Sequence, residues 1–249
     1  MADSRAVNKE LRAVIRPFLQ THGFRSASAR TFWRHAPDRV EVVNFQSFNA
    51  YLAEGLRCTT HSFALNIGTF LNAIPPDARA PKERNGLPCP AEYECHFRNK
   101  LRRGLQQPEL ARDDIWYIGP DGEYLAEAVQ DARRVIADAG LSWFDRLADP
   151  HAVLATLRSD LKWIAPDGML PGNPDSPARN RAIAYLAWSV GDLALALEHL
   201  ERLLEQARAR DEANAKLRLR RPMPIGATPT LIADVERLRE LVHQADSPN

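Results

Sequence analysis

The sequence predicts an α+β protein: a mainly antiparallel sheet of about four to five strands, preceded by an N-terminal helix and followed by a C-terminal helical region. Three observations carry this. Two strand-like stretches, 40–48 and 62–71, flank a polar loop at 49–61. The second places Phe63, Leu65, Ile67 and Leu71 on one face, with Asn66 and Gly68 on the other. After Glu123, helical periodicity and helix-cap chemistry take over.

Residues 7–20 put Leu11, Val14, Ile15, Phe18 and Leu19 at helical spacing, and His22-Gly23 closes the segment as a helix C-terminus does. Thr31–His35 reads as a short strand; the turn Ala36-Pro37-Asp38 leads into 40–48, so the two form a hairpin. Prolines at 75, 76, 81, 88 and 90 remove backbone donors and predict an irregular excursion over 72–90. Alternation resumes over 94–101, with Cys95, Phe97, Asn99 and Leu101 on one side and Glu94, His96, Arg98 and Lys100 on the other. Trp116-Tyr117-Ile118 reads as a last strand before the turn at Gly119–Gly122.

Leu125, Ala128, Val129, Ala132, Val135 and Ile136 mark a helix, with Gly140 expected as its C′ residue and a helical turn at Ser142–Leu147. Asp149-Pro150 is a cap and N1 proline, opening a helix that turns Val153, Leu154, Leu157 and Leu161 inward. The proline- and glycine-rich stretch 166–174 is the expected linker. It divides an α+β domain at 1–165 from a helical region at 175–249, expected to pack on the first. Ser176-Pro177 opens a helix to Val190, Gly191-Asp192 breaks it, and a second helix runs from Leu193 to Arg210. This pair resembles one helical hairpin of the tetratricopeptide-repeat type, with Ala184, Ala187, Ala194 and Ala196 for close packing. A free-standing solenoid needs about three repeats. The basic stretch Lys216–Arg221 precedes a last helix, opened by Thr228-Pro229 and carrying Leu231, Val235, Leu238 and Leu241.

A length of 249 residues, with 45% hydrophobic and 26% charged, describes a globular chain able to bury a core. The net charge of +1 argues against a nucleic-acid or anionic-membrane partner. Arginine far outnumbers lysine and alanine is abundant, as GC-rich bacterial codon usage gives. No stretch has the length of a membrane span, the first residues lack a signal-peptide run, and three cysteines make no disulfide framework. A cytoplasmic protein is expected.

The first part of the chain resembles the family of domain of unknown function 4304 (DUF4304). Gly23-Phe24, Thr31-Phe32-Trp33-Arg34, Val43-Asn44-Phe45-Gln46-Ser47 and Phe63-Ala64-Leu65-Asn66-Ile67-Gly68 carry the likeness. Cys95-His96-Phe97-Arg98 with Leu101 and Gly104, then Ile115-Trp116-Tyr117 and Gly140-Leu141-Ser142-Trp143-Phe144, extend it over roughly residues 5–147. Trp116-Tyr117 departs mildly from the family's paired aromatics. The resemblance implies the fold and no activity.

The candidate site is a set of polar residues expected within strands: Gln46, Asn66, His96 and Arg98. In suitable register they share one sheet face, where Arg98 could hold a carboxylate or phosphate and His96 act as donor or base. The competing reading is a solvated face, since antiparallel strands commonly alternate apolar and polar residues. Cys89, Cys95 and His96 lack the tight paired spacing of structural zinc, and Cys58 or His61 would have to complete the set, so no metal or cofactor is expected. Cys95 and His96 as a nucleophile pair fail if they are strand neighbours, which point to opposite faces. Asp149 reads as a cap and Asp113-Asp114 as an exposed loop, not as catalytic carboxylates. The basic run Arg98, Lys100, Arg102, Arg103 with Trp33, Trp116 and Tyr117 is a weak nucleic-acid candidate beside Glu94 and Asp113-Asp114. No phosphate-cradling glycine loop, nucleophile elbow or zinc-protease helix is present. The leading expectation is therefore a non-enzymatic protein-interaction module, immunity- or adaptor-like, with a protein partner. The alternative is a small-molecule-binding domain or hydrolase using Gln46, Asn66, His96 and Arg98.

Overall fold

In the computed structural model, which describes residues 4–76, 80–159, 175–216 and 228–246, the amphipathic start of the chain forms helix α1 (Ser4–Glu10). It continues through one π-helical turn, Leu11–Ile15, into α2 (Arg16–Thr21). Val7, Leu11, Ile15 and Leu19 are fully buried, a four-residue spacing that suits a helix carrying one wide turn. Val14 and Phe18, expected in the same stripe, are only half-buried. Gly23 (φ +87°) ends the helix: Phe24 N–H reaches Leu19 O at 3.0 Å and Gly23 N–H reaches Gln20 O at 3.1 Å, the paired bonds of a left-handed C-cap.

The sheet is antiparallel throughout. β1 (Ser26–Ala27), β2 (Thr31–His35), β3 (Arg39–Ser47), then helix α3 (Ala50–Gly55) and β4 (Phe63–Leu71) follow in order. A minimal hairpin, β5 (Glu83–Arg84) and β6 (Leu87–Pro88), interrupts the excursion before β7 (Phe97–Lys100). The five-stranded order is β1-β2-β3-β4-β7. Three expectations need correction. Residues 49–61 are not simply a loop, because Asn49 Oδ1 accepts from Leu52 N–H at 2.8 Å and caps α3. The strand expected at 94–101 begins only at Phe97, since Glu92–Glu94 closes into a 3-10 turn. Trp116 makes a single bridge to Phe63 instead of a strand.

α4 (Leu125–Val135) passes through a second π turn, Ile136–Gly140, into α5 (Leu141–Asp145) without a break. Gly140 is therefore not a C′ residue: its φ is −67°, and a Cβ there would stand 3.3 Å from Leu101 Cδ1. It serves close packing of this helix on the chain just after β7.

The β3–β4 register puts Val43 beside Ile67, Phe45 beside Leu65 and Ser47 beside Phe63 on one face. The rings of Phe32, Phe45, Phe63 and Trp116 follow one another at centroid spacings of 6.1, 5.3 and 5.6 Å. Helices close this face. Phe144 of α5 lies 5.8 Å from Phe24, and Asp131 of α4 accepts from Trp116 Nε1 at 2.9 Å and from Gly104 N–H at 3.0 Å. Glu41 sits here at 1% exposure, bound by Arg34 and, at 2.9 Å, by Arg39 Nε. Arg34 in turn lies over the rings of Phe24 (5.1 Å) and Phe144 (5.7 Å).

By contact density the chain divides into two compact units, the sheet with α1–α5 forming the first and later helices the second. In the second, α6 (Pro150–Arg158) is capped by Asp149, whose Oδ1 accepts from His151 N–H at 2.9 Å. α7 (Pro177–Ser189) and α8 (Leu193–Lys216) form the helical hairpin, and α9 (Thr228–Asp246) packs on α8. Ala184, Ala187 and Ala196 are fully buried where these helices meet, whereas Ala194 is exposed. His199 Nδ1 faces Asn180 Oδ1 at 2.8 Å, so that nitrogen carries the proton, and burial lowers the ring's pKa. Tyr185 donates to Asp234 Oδ2 at 2.5 Å; burial, then that carboxylate, drives its phenol pKa well up. The expected linker 166–174, Leu161 and residues 217–221 of the basic stretch lie outside the described residues.

Glu41→Ala removes the shared partner of two arginines on the helix-covered face. The expected loss is roughly 2–4 kcal/mol, seen as a lower urea midpoint with unchanged slope. A change below about 0.5 kcal/mol would show that Arg34 and Arg39 are satisfied without it.

Candidate functional site

The second face of the sheet carries no helix from α1, α2, α4 or α5, and its side chains fall into cross-strand rows. One row runs Thr31, Asn44, Asn66, Lys100 across four neighbouring strands. The next runs Trp33, Val42, Gly68, Arg98. Within the polar row Asn44 Nδ2 donates to Thr31 Oγ1 at 2.9 Å, and Asn66 Nδ2 donates to Gln46 Oε1 at 2.8 Å. The row forms a polar saddle between two apolar clusters. Trp33, Val40, Val42, Phe70 and Cys95 make one; Phe48, Ala53, Ala64, Leu110 and Ile115 make the other.

Irregular chain covers each cluster, and side chains hold it in place. Over the first, Trp33 Nε1 donates to Pro90 O at 2.8 Å, His35 Nε2 lies 2.8 Å from Pro88 O, and Arg84 Nη1 reaches Ala27 O at 2.8 Å. Gly68 makes room for this arm: a Cβ there would stand 2.8 Å from both Cβ and Sγ of Cys95. Over the second cluster, the guanidinium of Arg103 binds the carbonyls of Leu105, Gln107, Leu110 and Arg112, and Gln107 brackets Tyr117 through its O and N–H at 2.7 and 2.8 Å.

The four predicted site residues share this face, but two of them are committed elsewhere. Gln46 is exposed and bonded to the buried Asn66. Arg98 lies one row further along and pairs with Glu92 at 2.8 Å. His96 lies tilted against Phe70 with ring centroids 4.6 Å apart, and its Nδ1 accepts from Leu71 N–H at 3.0 Å, which leaves the neutral ring's proton on Nε2. Cys95 packs in the cluster that holds Phe70, so the pair does not split across the sheet as strand neighbours would; the 3-10 turn places both on one side. Burial first, then the Glu92 carboxylate, raises the Cys95 thiol well above its usual pKa, which makes it a poor nucleophile. Among the described residues no group of three or more His, Cys, Asp or Glu side chains is placed to hold a metal. Trp33 and Trp116 are buried with their N–H groups engaged, so neither presents a ring for base stacking.

Sequence reasoning missed Thr31, Asn44 and Lys100 as members of the polar row. The signal was present in Asn44 alternating with Val43 and Phe45, but only the register joins it to Asn66 and Lys100. It also missed Tyr51 (83% exposed) and Tyr93 (68% exposed), which stand on α3 and on the 3-10 turn beside the saddle. At the saddle's other rim, Asp114 is bound by Arg112 at 2.7 Å and Lys100 at 3.3 Å. The Arg112 hydrogen bond, with Lys100 adding, holds its pKa down at about 2.

A family profile described as domain of unknown function (DUF4304) matches residues 15–146. No curated protein and no solved structure matches the chain.

Gly68→Ala is expected to push the arm off the sheet, costing roughly 1–3 kcal/mol. The specific readout is Cys95, whose labelling by a thiol reagent should accelerate; equal labelling in variant and wild type would show that the arm accommodates the methyl group. Asp114 gives a pH signature. Its folded pKa lies below the ordinary 3.8, so its contribution is complete above about pH 4 and lost as pH falls through about 2. At this solvent-screened site it is worth roughly 1 kcal/mol. Asp114→Asn should erase that part of the acid limb in a pH series of unfolding midpoints, and an unchanged limb would refute the assignment.

Proposed function

The chain belongs to the DUF4304 family, and from that starting point we propose that it is a non-enzymatic protein-interaction module, immunity- or adaptor-like, which engages a protein partner through the side of its sheet that α1, α2, α4 and α5 leave open. One observation carries the reading. Tyr51, Leu52, Leu87 and Tyr93 are the large hydrophobics left exposed among the described residues. All four stand on segments bordering this side: α3, β6 and the 3-10 turn. Exposed aromatic residues are enriched in recognition surfaces. The helical hairpin is the weaker candidate surface, because Trp188 and Leu195 are half-buried and Trp188 lies between Tyr185 (6.2 Å) and Arg237 (5.5 Å).

The small-molecule or hydrolase alternative has less support, since Arg98 is tied to Glu92 and His96 to the Leu71 amide. A bacterial, cytoplasmic setting belongs to the proposal and rests on the arginine-rich composition and three free cysteines. No helix among the described residues is long and apolar enough to cross a membrane.

The test is affinity purification of the tagged chain from its own host, in parallel with Tyr51→Ala/Tyr93→Ala. A stoichiometric partner whose recovery falls at least about tenfold in the double variant is expected, since truncated anchor aromatics typically cost 2 kcal/mol or more. A partner retained equally by both forms moves the interface elsewhere. A small molecule retained in place of any protein overturns the proposal.

A further inference from the structure

Arg179 of α7 is the largest side chain that the second unit encloses fully, at 1% exposure. Its Nε and Nη1 atoms are buried and have no hydrogen-bond partner among the described residues. Other arginines of the unit are matched: Arg202 pairs with Glu198 and Arg239 with Glu201, both at 2.6 Å. Burial lowers the Arg179 pKa, and no carboxylate opposes it. Asp175 is exposed just ahead of the helix, but its charge bears on His199 and not on Arg179. A buried cation without a counter-charge is costly to keep.

Its position adds to that cost. Ser176 caps α7, so Arg179 stands in the first turn, at the helix end whose dipole is positive and disfavours a cation. A helical side chain slants back towards the N-terminus of its helix, which lays the guanidinium alongside this turn. Arg179 N–H bonds Ser176 Oγ at 3.3 Å, Asn180 N–H bonds Ser176 O at 2.9 Å, and Pro177 has no N–H to offer. That leaves Ala178 N–H as the donor of this turn with no partner among the described residues.

We infer that the start of α7 binds a compact phosphate dianion, free or as the phosphate monoester of a small metabolite, with Arg179 as its anchor and Ala178 N–H as a second donor. The guanidinium and the helix end repel each other, and an anion held by both turns two unfavourable features into favourable ones. A dianion answers this pair of positive groups better than a monocarboxylate does. The near-complete enclosure of the guanidinium favours a compact anion over a polyanion. The inference is independent of the protein-interaction reading, because it uses no residue of the sheet or of the segments that border it.

The test titrates the full chain with sodium phosphate, with glycerol 3-phosphate and, at matched ionic strength, with sodium acetate, followed by amide NMR and by the thermal unfolding midpoint. Saturable shifts centred on the first turns of α7 are expected for phosphate or its monoester, with a midpoint that climbs as the concentration rises. Arg179→Met keeps an unbranched side chain without the charge, and affinity should fall at least about tenfold through loss of a charge-assisted bond. Binding of both probes assigns the site to the dianion itself, and binding of the monoester alone assigns it to an organic phosphate. Acetate of equal affinity, shifts that never saturate or that centre elsewhere, or a variant that binds as the wild type does would each overturn the inference. Should Arg179→Met not fold, the place and saturation of the wild-type shifts decide the matter.

Discussion

The nine-residue ladder between β3 and β4 is the constraint on which the first unit depends. Arg39 to Ser47 pair with Leu71 to Phe63 without a bulge, and β2 and β7 are each placed by pairing with one of these two. Side-chain period in a strand is two, so a slip of one residue would exchange the two faces of the slipped strand. It would carry either Val43 and Phe45 of β3 or Leu65 and Ile67 of β4 off the helices, and bring Asn44 and Gln46, or Asn66, under them, burying amides away from their present partners. Glu41 strengthens the same choice of register, because only there do Arg34 of β2 and Arg39 meet its carboxylate on the covered face.

The two faces solve the problem of burial differently. Helices satisfy their own backbones, so α1, α2, α4 and α5 need only apolar stripes and the Asp131 contact to close their side. The irregular segments across the other face have no ladder, and each backbone group must find a partner individually. This explains why so many side chains there donate to carbonyls. Trp33, Arg84 and Arg103 are used as fasteners for chain that proline and turn chemistry keep out of regular structure. Within the saddle the row is hydrogen-bonded to itself, between Asn44 and Thr31 and between Asn66 and Gln46.

Much of this architecture was legible in the sequence. The long strands, the β2–β3 hairpin, the Gly23 stop and the caps at Asp149 and Ser176 rest on local signals, and those survive without tertiary knowledge. What failed depended on non-local packing. Gly140 looks like a stop signal, yet the helix continues because Leu101 needs the space that its missing side chain leaves. Cys95 and Glu94 look like strand residues, yet Gly68 opens a place into which a turn folds. The candidate site was legible to the extent that its four residues share a face. That Arg98 would be claimed by Glu92 and His96 by the Leu71 amide could not be read, because those partners are set by the turn that interrupts the strand.

This division bears on function. The polar residues of the saddle satisfy one another or the backbone. Hydrogen-bonded amides remain good recognition elements, since a partner can accept or donate at their remaining positions without disturbing the sheet. The exposed side chains beside them are two tyrosines, which offer large contact area for little conformational entropy. Their supports differ: Tyr51 rides on a capped helix whose Ala53 is locked into the apolar cluster, and Tyr93 on a turn anchored by Glu94, whose carboxylate accepts from Ala91 N–H at 2.7 Å. Both rings are thus held by packed backbone while remaining in solvent. Burial would have stabilised the domain more than exposure does, so these two rings add little to the folding of the chain.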